Sequence, residues 1–254
     1  MSTGERRVCL ITGAGGTLGN VFCRSYYTEY DIVAVCRTRT PAVPSQLEWF
    51  VDPLEPEKAV PENDSRVFVV RADLTAPGEV ERVVDLALAR FGKVDLLVNN
   101  AAHVQLQPRG IVDGDAAMEQ FDPHFALNVS VPLRFSARLA QRFWLHAGVQ
   151  NRAANRNIVN VSSISGSEVY RGQTLYSASK AALNQLTRNI AEEFAEFGVR
   201  ANAIAPTTFP ALVSTEQVAQ AIVELDRNNY NGGVFGVGEQ HDGGRHDQLA
   251  EAEQ

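Results

Sequence analysis

The chain is poor in cysteine, and the three it has, Cys9, Cys23 and Cys36, are an odd set without metal-ligand spacing. Neither a disulfide framework nor a metal site is expected; reduced packing cysteines in a cytoplasmic protein fit the pattern. Long apolar runs are missing too. None approaches the ~18 residues of a membrane span, so no membrane partner is expected. Arg6-Arg7 ahead of Val8-Cys9-Leu10-Ile11 has the opening of a signal peptide, but the run stops at Thr12-Gly13 and reads as a first buried strand. Net positive charge is absent as well. With 23 Lys and Arg against 30 Asp and Glu the balance is −7, which argues against a nucleic-acid surface and for small-molecule or protein partners. No internal repeat and no second core is visible. Residues 1–244 are therefore expected to form one domain, with a flexible polar tail over 245–254.

What is present is an alternation of short apolar strands and amphipathic helices. A chain of 254 residues that is 44% hydrophobic can bury one sizeable core. Strands are predicted over 8–11, 32–35, 67–70, 94–98, 158–161, 199–205 and 234–237. Helices are predicted over 18–29, 77–91, 118–146, 176–196 and 215–226. Short links between strands and helices specify a doubly wound parallel sheet, a three-layer α/β/α fold. The stretch 40–65 breaks the rhythm with Pro41, Pro44, Pro53, Pro56 and Pro61. It reads as an inserted loop tacked to the body by Trp49 and Phe50, either a flap over a ligand, an oligomer contact or an inert surface feature.

The first strand runs into Thr12-Gly13-Ala14-Gly15-Gly16-Thr17-Leu18-Gly19. A glycine turn between strand and helix brings backbone N–H groups to a pyrophosphate at the positive end of the helix dipole. Gly13 would permit the tight turn, Gly16 the close approach and Gly19 the packing of helix on sheet; the plain alternative is a structural turn. A dinucleotide fold that prefers NAD carries a carboxylate at the tip of the second strand. This chain has Cys36-Arg37-Thr38-Arg39 there, with no acid. An arginine pairs with a 2′-phosphate and an acid would repel it, so NADP(H) is favoured over NAD(H), unless both arginines are plain solvated residues. Asp73 closes the third strand, placed either to accept from an adenine amino group or to cap the next helix. Asn99-Asn100-Ala101-Ala102 sits at the carboxyl end of the fourth strand, where an open parallel sheet binds its ligand. Asn128 falls inside a predicted helix, with its amide spent on a kink or holding a water.

Tyr176-Ser177-Ala178-Ser179-Lys180 opens the helix after the fifth strand, and Ser163 precedes the tyrosine by thirteen residues. Tyr176 and Lys180 form an i, i+4 pair on one helix face. A phenol holds its proton to pH ~10. A neighbouring ammonium favours the phenolate and brings proton transfer toward neutral pH.

Together these residues resemble the short-chain dehydrogenase/reductase family from Val8 to Gly244. The matching elements come in family order: 12–19, Asp73, Asn99-Asn100-Ala101, Asn128, Ser163, Tyr176, Lys180 and Pro206. The resemblance implies a Rossmann-like fold and an NAD(P)-dependent oxidoreductase. It implies Tyr176 as the proton donor or acceptor, Ser163 as the group that stabilises charge on the substrate oxygen, and Lys180 as the ligand of the nicotinamide ribose that also depresses the tyrosine pKa. Asn128 would hold a water on the proton path. Cofactor contacts carried over are Thr12, Gly13, Gly15, Gly16, Thr17, Leu18, Gly19, Arg37, Asp73, Leu74, Asn100, Ala101, Tyr176, Lys180, Pro206, Thr207 and Thr208. Substrate-facing candidates by position are His103, Gln105, Glu168, Tyr170, Thr208 and Phe209. The family also implies a homodimer or homotetramer, with Leu183, Leu186, Ile190 and Phe194 on the Tyr176 helix facing either a partner or the sheet.

Departures from the family pattern narrow the reading. Thr17, Ala102 and Thr207 stand where glycine is usual, and the Thr-Gly-x-x-Gly-x-x-Gly spacing is that of the family's larger members, many of them epimerases and dehydratases. Only 25 residues separate Pro206 from Gly232, leaving 207–214 as a shortened substrate lid. An open cleft is expected, fitting a bulky or carrier-bound carbonyl or alcohol. The sequence thus points to a cytoplasmic NADP(H)-dependent enzyme interconverting a ketone and a secondary alcohol, in the manner of a ketoreductase. Its rivals are an epimerase or dehydratase working by transient oxidation, and a non-catalytic dinucleotide-binding sensor or scaffold.

Overall fold

A computed structural model describes residues 6–47 and 66–238. The expected tail, and the part of the 40–65 segment beyond Leu47 with Trp49 and Phe50, lie outside the described residues. In chain order the elements are β1 (Arg7–Thr12), α1 (Thr17–Tyr26), β2 (Tyr30–Cys36), β3 (Gln46–Leu47), β4 (Val67–Arg71), α2 (Glu79–Phe91) and β5 (Leu96–Asn99). Then come α3 (Asp115–Met118), α4 (Phe121–Phe125), α5 (Val131–Arg142), α6 (Gly148–Ala153), β6 (Asn157–Val161), α7 (Thr174–Ala195), β7 (Arg200–Pro206), α8 (Thr215–Arg227) and β8 (Val234–Val237).

All strands are parallel in one sheet of order β3-β4-β2-β1-β5-β6-β7-β8. The doubly wound α/β fold expected from the alternation is what forms. Its strands are almost wholly buried because helices cover both faces, so they read as continuous apolar runs. Leu18, Phe22 and Cys23 of α1 and Val218, Ile222 and Leu225 of α8 pack on one face. Val80, Val83 and Val84 of α2, Phe135 and Leu139 of α5, and Ile190 of α7 pack on the other. Leu183 and Ile190 are buried, while Leu186 and Phe194 pack against the core. The apolar stripe of α7 therefore serves the sheet, the second of the two roles open to it.

Three segments depart from expectation. The run 118–146 is not one helix. α3 and α4 are short, a π-helical turn (Ala126–Ser130) follows, and α5 starts at Val131 with Pro132 in its first turn. Proline is tolerated there because a first-turn N–H has no helical partner. The polar stretch between α5 and β6, read as a loop, contains α6, and the start of the 40–65 stretch forms the two-residue β3 against β4.

Chain direction decides where function sits. The strand order reverses between β1 and β5, and the turns after β1, β2, β4, β5, β6 and β7 open on one edge of the sheet. A doubly wound sheet binds ligands in the crevice at this edge.

Candidate active site

The turn after β1 is shaped by close packing. Gly13 has φ +67°, and a Cβ there would come within 2.9 Å of Asn100 Nδ2. A Cβ at Gly19 would lie 2.5 Å from the Gly13 carbonyl oxygen and 2.6 Å from Ala14 Cα, so Gly19 packs against the glycine turn itself. The turn is laced to the end of β5. Thr12 Oγ1 accepts the N–H groups of Asn100 (3.0 Å) and Ala101 (2.9 Å), and Asn100 Nδ2 donates to the Thr12 carbonyl at 2.8 Å. Both side chains are thus engaged in holding the two strand ends together. The N-cap of α1 is Gly16, with no side chain capping the helix. Its first N–H groups are left facing the cleft, an arrangement suited to an anion.

A cleft of about 540 Å³ runs over this turn. Gly13, Gly15, Gly16, Thr17, Leu18, Arg37, Asp73, Leu74, Asn100, Ala101, His103 and Phe209 of the expected residues line it, together with Thr38, Arg39, Ala102, Val104 and Leu127. Uncapped helix N–H groups in the middle and small residues along the floor fit a dinucleotide. Asp73 Oδ1 accepts from the Thr75 hydroxyl (2.7 Å) and N–H (3.1 Å), which hold its carboxyl below the usual range, with Arg37 adding to the effect. These contacts belong to the turn after β4 and not to a helix cap, since α2 is preceded by Gly78 with no side chain capping it. Thr12, Gly19, Pro206, Thr207 and Thr208 do not line the cleft. Thr207 is buried, its N–H donating to the Val237 carbonyl at 3.0 Å, so it ties β7 to β8.

Ser163, Tyr176 and Lys180 converge at the end of β6. The Tyr176 phenol faces Ser163, whose hydroxyl favours the phenolate, and Lys180 Nζ lies 5.6 Å from the centroid of the tyrosine ring. Lys180 Nζ donates to the Val161 carbonyl at 2.7 Å. Burial pulls the lysine pKa down to about 8. Burial also raises the Tyr176 pKa, and only the Ser163 hydrogen bond opposes it. Desolvation of the phenolate therefore sets the direction of the tyrosine's shift in this geometry.

Two buried polar contacts place α7 on β6. Ser162 Oγ donates to Asn184 Oδ1 at 2.5 Å, and Asn160 Nδ2 donates to Thr187 Oγ1 at 2.8 Å. A second pair of residues, missed in the sequence, orients Ser163. Its Oγ accepts the Ser165 N–H and donates to Ser165 Oγ, both at 3.2 Å, and Ser165 Oγ donates to Gln173 Oε1 at 2.7 Å.

Asn128 lies in the π-helical turn, fully buried, with its amide spent on structure. Oδ1 accepts the His103 N–H (2.7 Å), and Nδ2 donates to the His103 carbonyl (3.0 Å) and to Ser179 Oγ (2.9 Å). Its amide is thus spent on the main chain of the loop after β5 and on α7, and not on the backbone of its own helical turn. The same loop is held again two and four residues on. Gln105 N–H donates to His124 Nε2 at 3.3 Å and Gln107 N–H to the Gly172 carbonyl at 2.8 Å. His124 is buried, donates from Nδ1 to the Gln120 carbonyl at 2.7 Å, and sets its ring edge-on to His103 (4.6 Å) and Tyr176 (6.5 Å). His124 precedes Asn128 by four residues, the helical spacing that would have flagged it. Glu168 and Tyr170 pair with each other at 2.7 Å, and the tyrosine is pushed up to about 12 by burial and that carboxylate. Among the described residues no group of three His, Cys, Asp or Glu is placed to hold a metal, and no helix is long and apolar enough to cross a membrane.

A dinucleotide cleft at the sheet's switch point beside a Ser-Tyr-Lys set defines an NAD(P)-dependent oxidoreductase. The chain belongs to the short-chain dehydrogenase/reductase family: residues 7–221 match the short chain dehydrogenase model. An uncharacterised oxidoreductase of Schizosaccharomyces pombe is 31% identical over 81% of this chain and 68% of its own. The 2-(R)-hydroxypropyl-CoM dehydrogenase of Xanthobacter autotrophicus is 29% identical over 79% of this chain and 73% of its own. Among solved structures, the 3-ketoacyl-(acyl-carrier-protein) reductase of Brucella melitensis complexed with NADH superposes with TM-score 0.73 at 25% identity, covering 92% of this chain and 97% of that one.

Proposed function

We propose that the protein is an NADP(H)-dependent ketoreductase that interconverts a ketone and a secondary alcohol. The observation that carries this reading is the convergence of Ser163, Tyr176 and Lys180 at the end of β6, with the Lys180 ammonium over the tyrosine ring. When bound, the nicotinamide supplies or takes up the hydride. In the reductive direction Tyr176 gives its phenolic proton to the substrate oxygen as the carbon–oxygen π pair moves onto that atom. Ser163 donates a hydrogen bond to the same oxygen and stabilises its developing charge. Lys180 stabilises the phenolate left behind, and its hydrogen bond to Val161 fixes where that charge sits. Arg37, Thr38 and Arg39 line the adenosine end with no carboxylate beside the arginines in the sequence, which supports NADP(H) over NAD(H).

The substrate is proposed to be bulky or carrier-bound. The segment 207–214 between β7 and α8 is too short for an added helix, and Val104, Leu106, Val169 and Leu212 stand exposed on the loops after β5, β6 and β7. A hydrophobic or tethered substrate would cover them. The relatives that act on coenzyme M and acyl-carrier-protein adducts are consistent with such a substrate. Assembly as a homodimer or homotetramer is proposed on family grounds.

Titration with NADPH and NADH, followed by a carbonyl panel that includes thioester-linked ketones, tests the reading. NADPH should bind more tightly and be consumed. Turnover of a substrate with no net change in nicotinamide absorbance would favour an epimerase or dehydratase instead.

A further inference from the structure

After β2 the chain must cross the start of α1 to reach β3, and it does so pressed against the glycine turn. A Cβ built on Gly15 would lie 1.7 Å from the Arg39 carbonyl oxygen and 2.5 Å from its carbonyl carbon. Gly15 is not among the glycines with positive φ, so its backbone conformation does not demand glycine. The contact with Arg39 does. Three residues further on, the Ala42 N–H donates to Asn20 Oδ1 on α1 at 2.8 Å, and Val43 packs against the core. The segment is therefore fastened at three places, through main chain and Val43, while the Arg37 and Arg39 side chains stay exposed over the cleft they line.

We infer that Gly15 and Asn20 are positioning residues for cofactor choice, seating the 37–42 segment so that Arg37 and Arg39 form a clamp for a 2′-phosphate. This rests on the NADP(H) reading proposed above. A guanidinium recognises phosphate through fixed, paired N–H donors, so the main chain that carries it must be held to within about an ångström. Asn20 is bonded to a main-chain N–H and Gly15 touches a main-chain carbonyl; neither needs to contact the phosphate to act. Adding a methyl at position 15 must move Arg39 from 1.7 Å to beyond the 3.0 Å that real Cβ contacts observe. That lifts the arginines and leaves the β5 side of the cleft in place.

The experiment is a binding titration of NADPH and NADH, read by nicotinamide fluorescence, on the wild type, Gly15→Ala and Asn20→Ala. Charge-assisted hydrogen bonds contribute ~1.5–3 kcal/mol, so each variant is expected to lose ~10-fold or more in NADPH affinity. NADH affinity of Asn20→Ala, whose residue does not line the cleft, should change by less than ~3-fold, so that its NADPH/NADH ratio collapses. Asn20 lies in the first turn of α1, where its main-chain bond to Gly16 survives substitution and alanine suits a helix, so that variant should fold even if the turn tolerates no change at Gly15. A wild type that binds NADH as well as NADPH sinks the NADP(H) reading. A wild type that prefers NADPH, with variants that keep the ratio or lose both cofactors equally, overturns the seating role alone.

Discussion

Lys180 Nζ donates a 2.7 Å hydrogen bond to the carbonyl of Val161, the last residue of β6, which fixes the ammonium at the edge where the sheet opens. Burial lowers its pKa to about 8 from an ordinary 10.5. The reductive rate is expected to fall as pH rises through about 8, because the charge that stabilises the Tyr176 phenolate is then lost. Folding lowers this pKa, so the unfolded chain holds the extra proton between the two values, and stability rises with pH across that window. Lys180→Met should therefore be inactive yet more stable than wild type at pH 7, and the rise should vanish from its stability curve. A pH–rate profile and urea melts at several pH values check both halves. A wild-type profile flat through pH 8 would remove the lysine from the proton path.

Tyr176 and Ser163 are proposed to act on one substrate oxygen but should fail differently. Tyr176→Phe keeps the ring and deletes the proton donor, with an expected turnover loss of ~10²–10⁴-fold. Ser163→Ala deletes one donor to the oxyanion and should cost ~10²–10³-fold. Ser165→Ala leaves both groups and the Ser165 main-chain N–H contact, and removes only the hydroxyl that accepts from Ser163, so its loss should be smaller and partly recovered in Ser165→Thr, which keeps a hydroxyl. Single-turnover rates at saturating NADPH separate these effects from binding. Equal losses in all three variants would mean that the pocket, and not the hydroxyls, had been damaged.

His124 predicts an acid-side effect. Its ring donates to Gln120 and accepts from Gln105, which requires the neutral form, and burial lowers its pKa from the ordinary 6.5, with His103 adding to the effect. The groups facing it are the His103 and Tyr176 rings and the Gln120 carbonyl, none of them anionic near neutrality. With the folded pKa depressed, stability is full above the unfolded value and is lost as pH falls below it. The protection factor of the Gln105 amide, taken relative to its intrinsic exchange rate at each pH, should fall below pH 6.5 in the wild type. In His124→Phe it should be low at every pH. Protection unchanged between pH 7 and pH 5 would show that the imidazole does not hold this loop.

Much of this was legible in the sequence because period and composition act locally. The strands after Val67, Val199 and Val234 are short apolar runs bounded by polar turns, and each appears within a residue or two of its expected span. Tyr176 and Lys180 share a helix face by spacing alone. What escaped depends on contacts between distant residues. Pro123 and Pro132 and the Asn128 clasp on His103 divide the 118–146 run, and helical periodicity does not report such clasps. Thr12 and Asn100 are bonded across 88 positions to each other's strand ends, while Asn100 also lines the cleft. The Ser165–Gln173 contact and the Gly15–Arg39 approach are of the same kind, set by the fold and silent in any local pattern.

Asp226 offers a control in which stability and chemistry separate. Its carboxylate, completely buried near the end of α8, accepts from Arg7 at 2.9 and 2.7 Å and from the Tyr30 hydroxyl at 2.8 Å. Arg7 opens β1 and Tyr30 opens β2, so this network closes the sheet edge opposite the cleft. Removing one partner of a buried pair leaves the other charge unmatched, at a cost of ~3–5 kcal/mol. Asp226→Ala should lose about that much in urea unfolding, because the Arg7 guanidinium keeps only its weaker carbonyl contacts with Asp95, Ala154 and Asn155. Cofactor affinity of the protein that remains folded should be unchanged, since none of these residues lines the cleft. Urea melts paired with an NADPH titration at low temperature make the comparison. A variant as stable as wild type would show that the pair offsets little more than its own desolvation. A variant with intact stability but weakened NADPH binding would mean that the two edges of the sheet communicate.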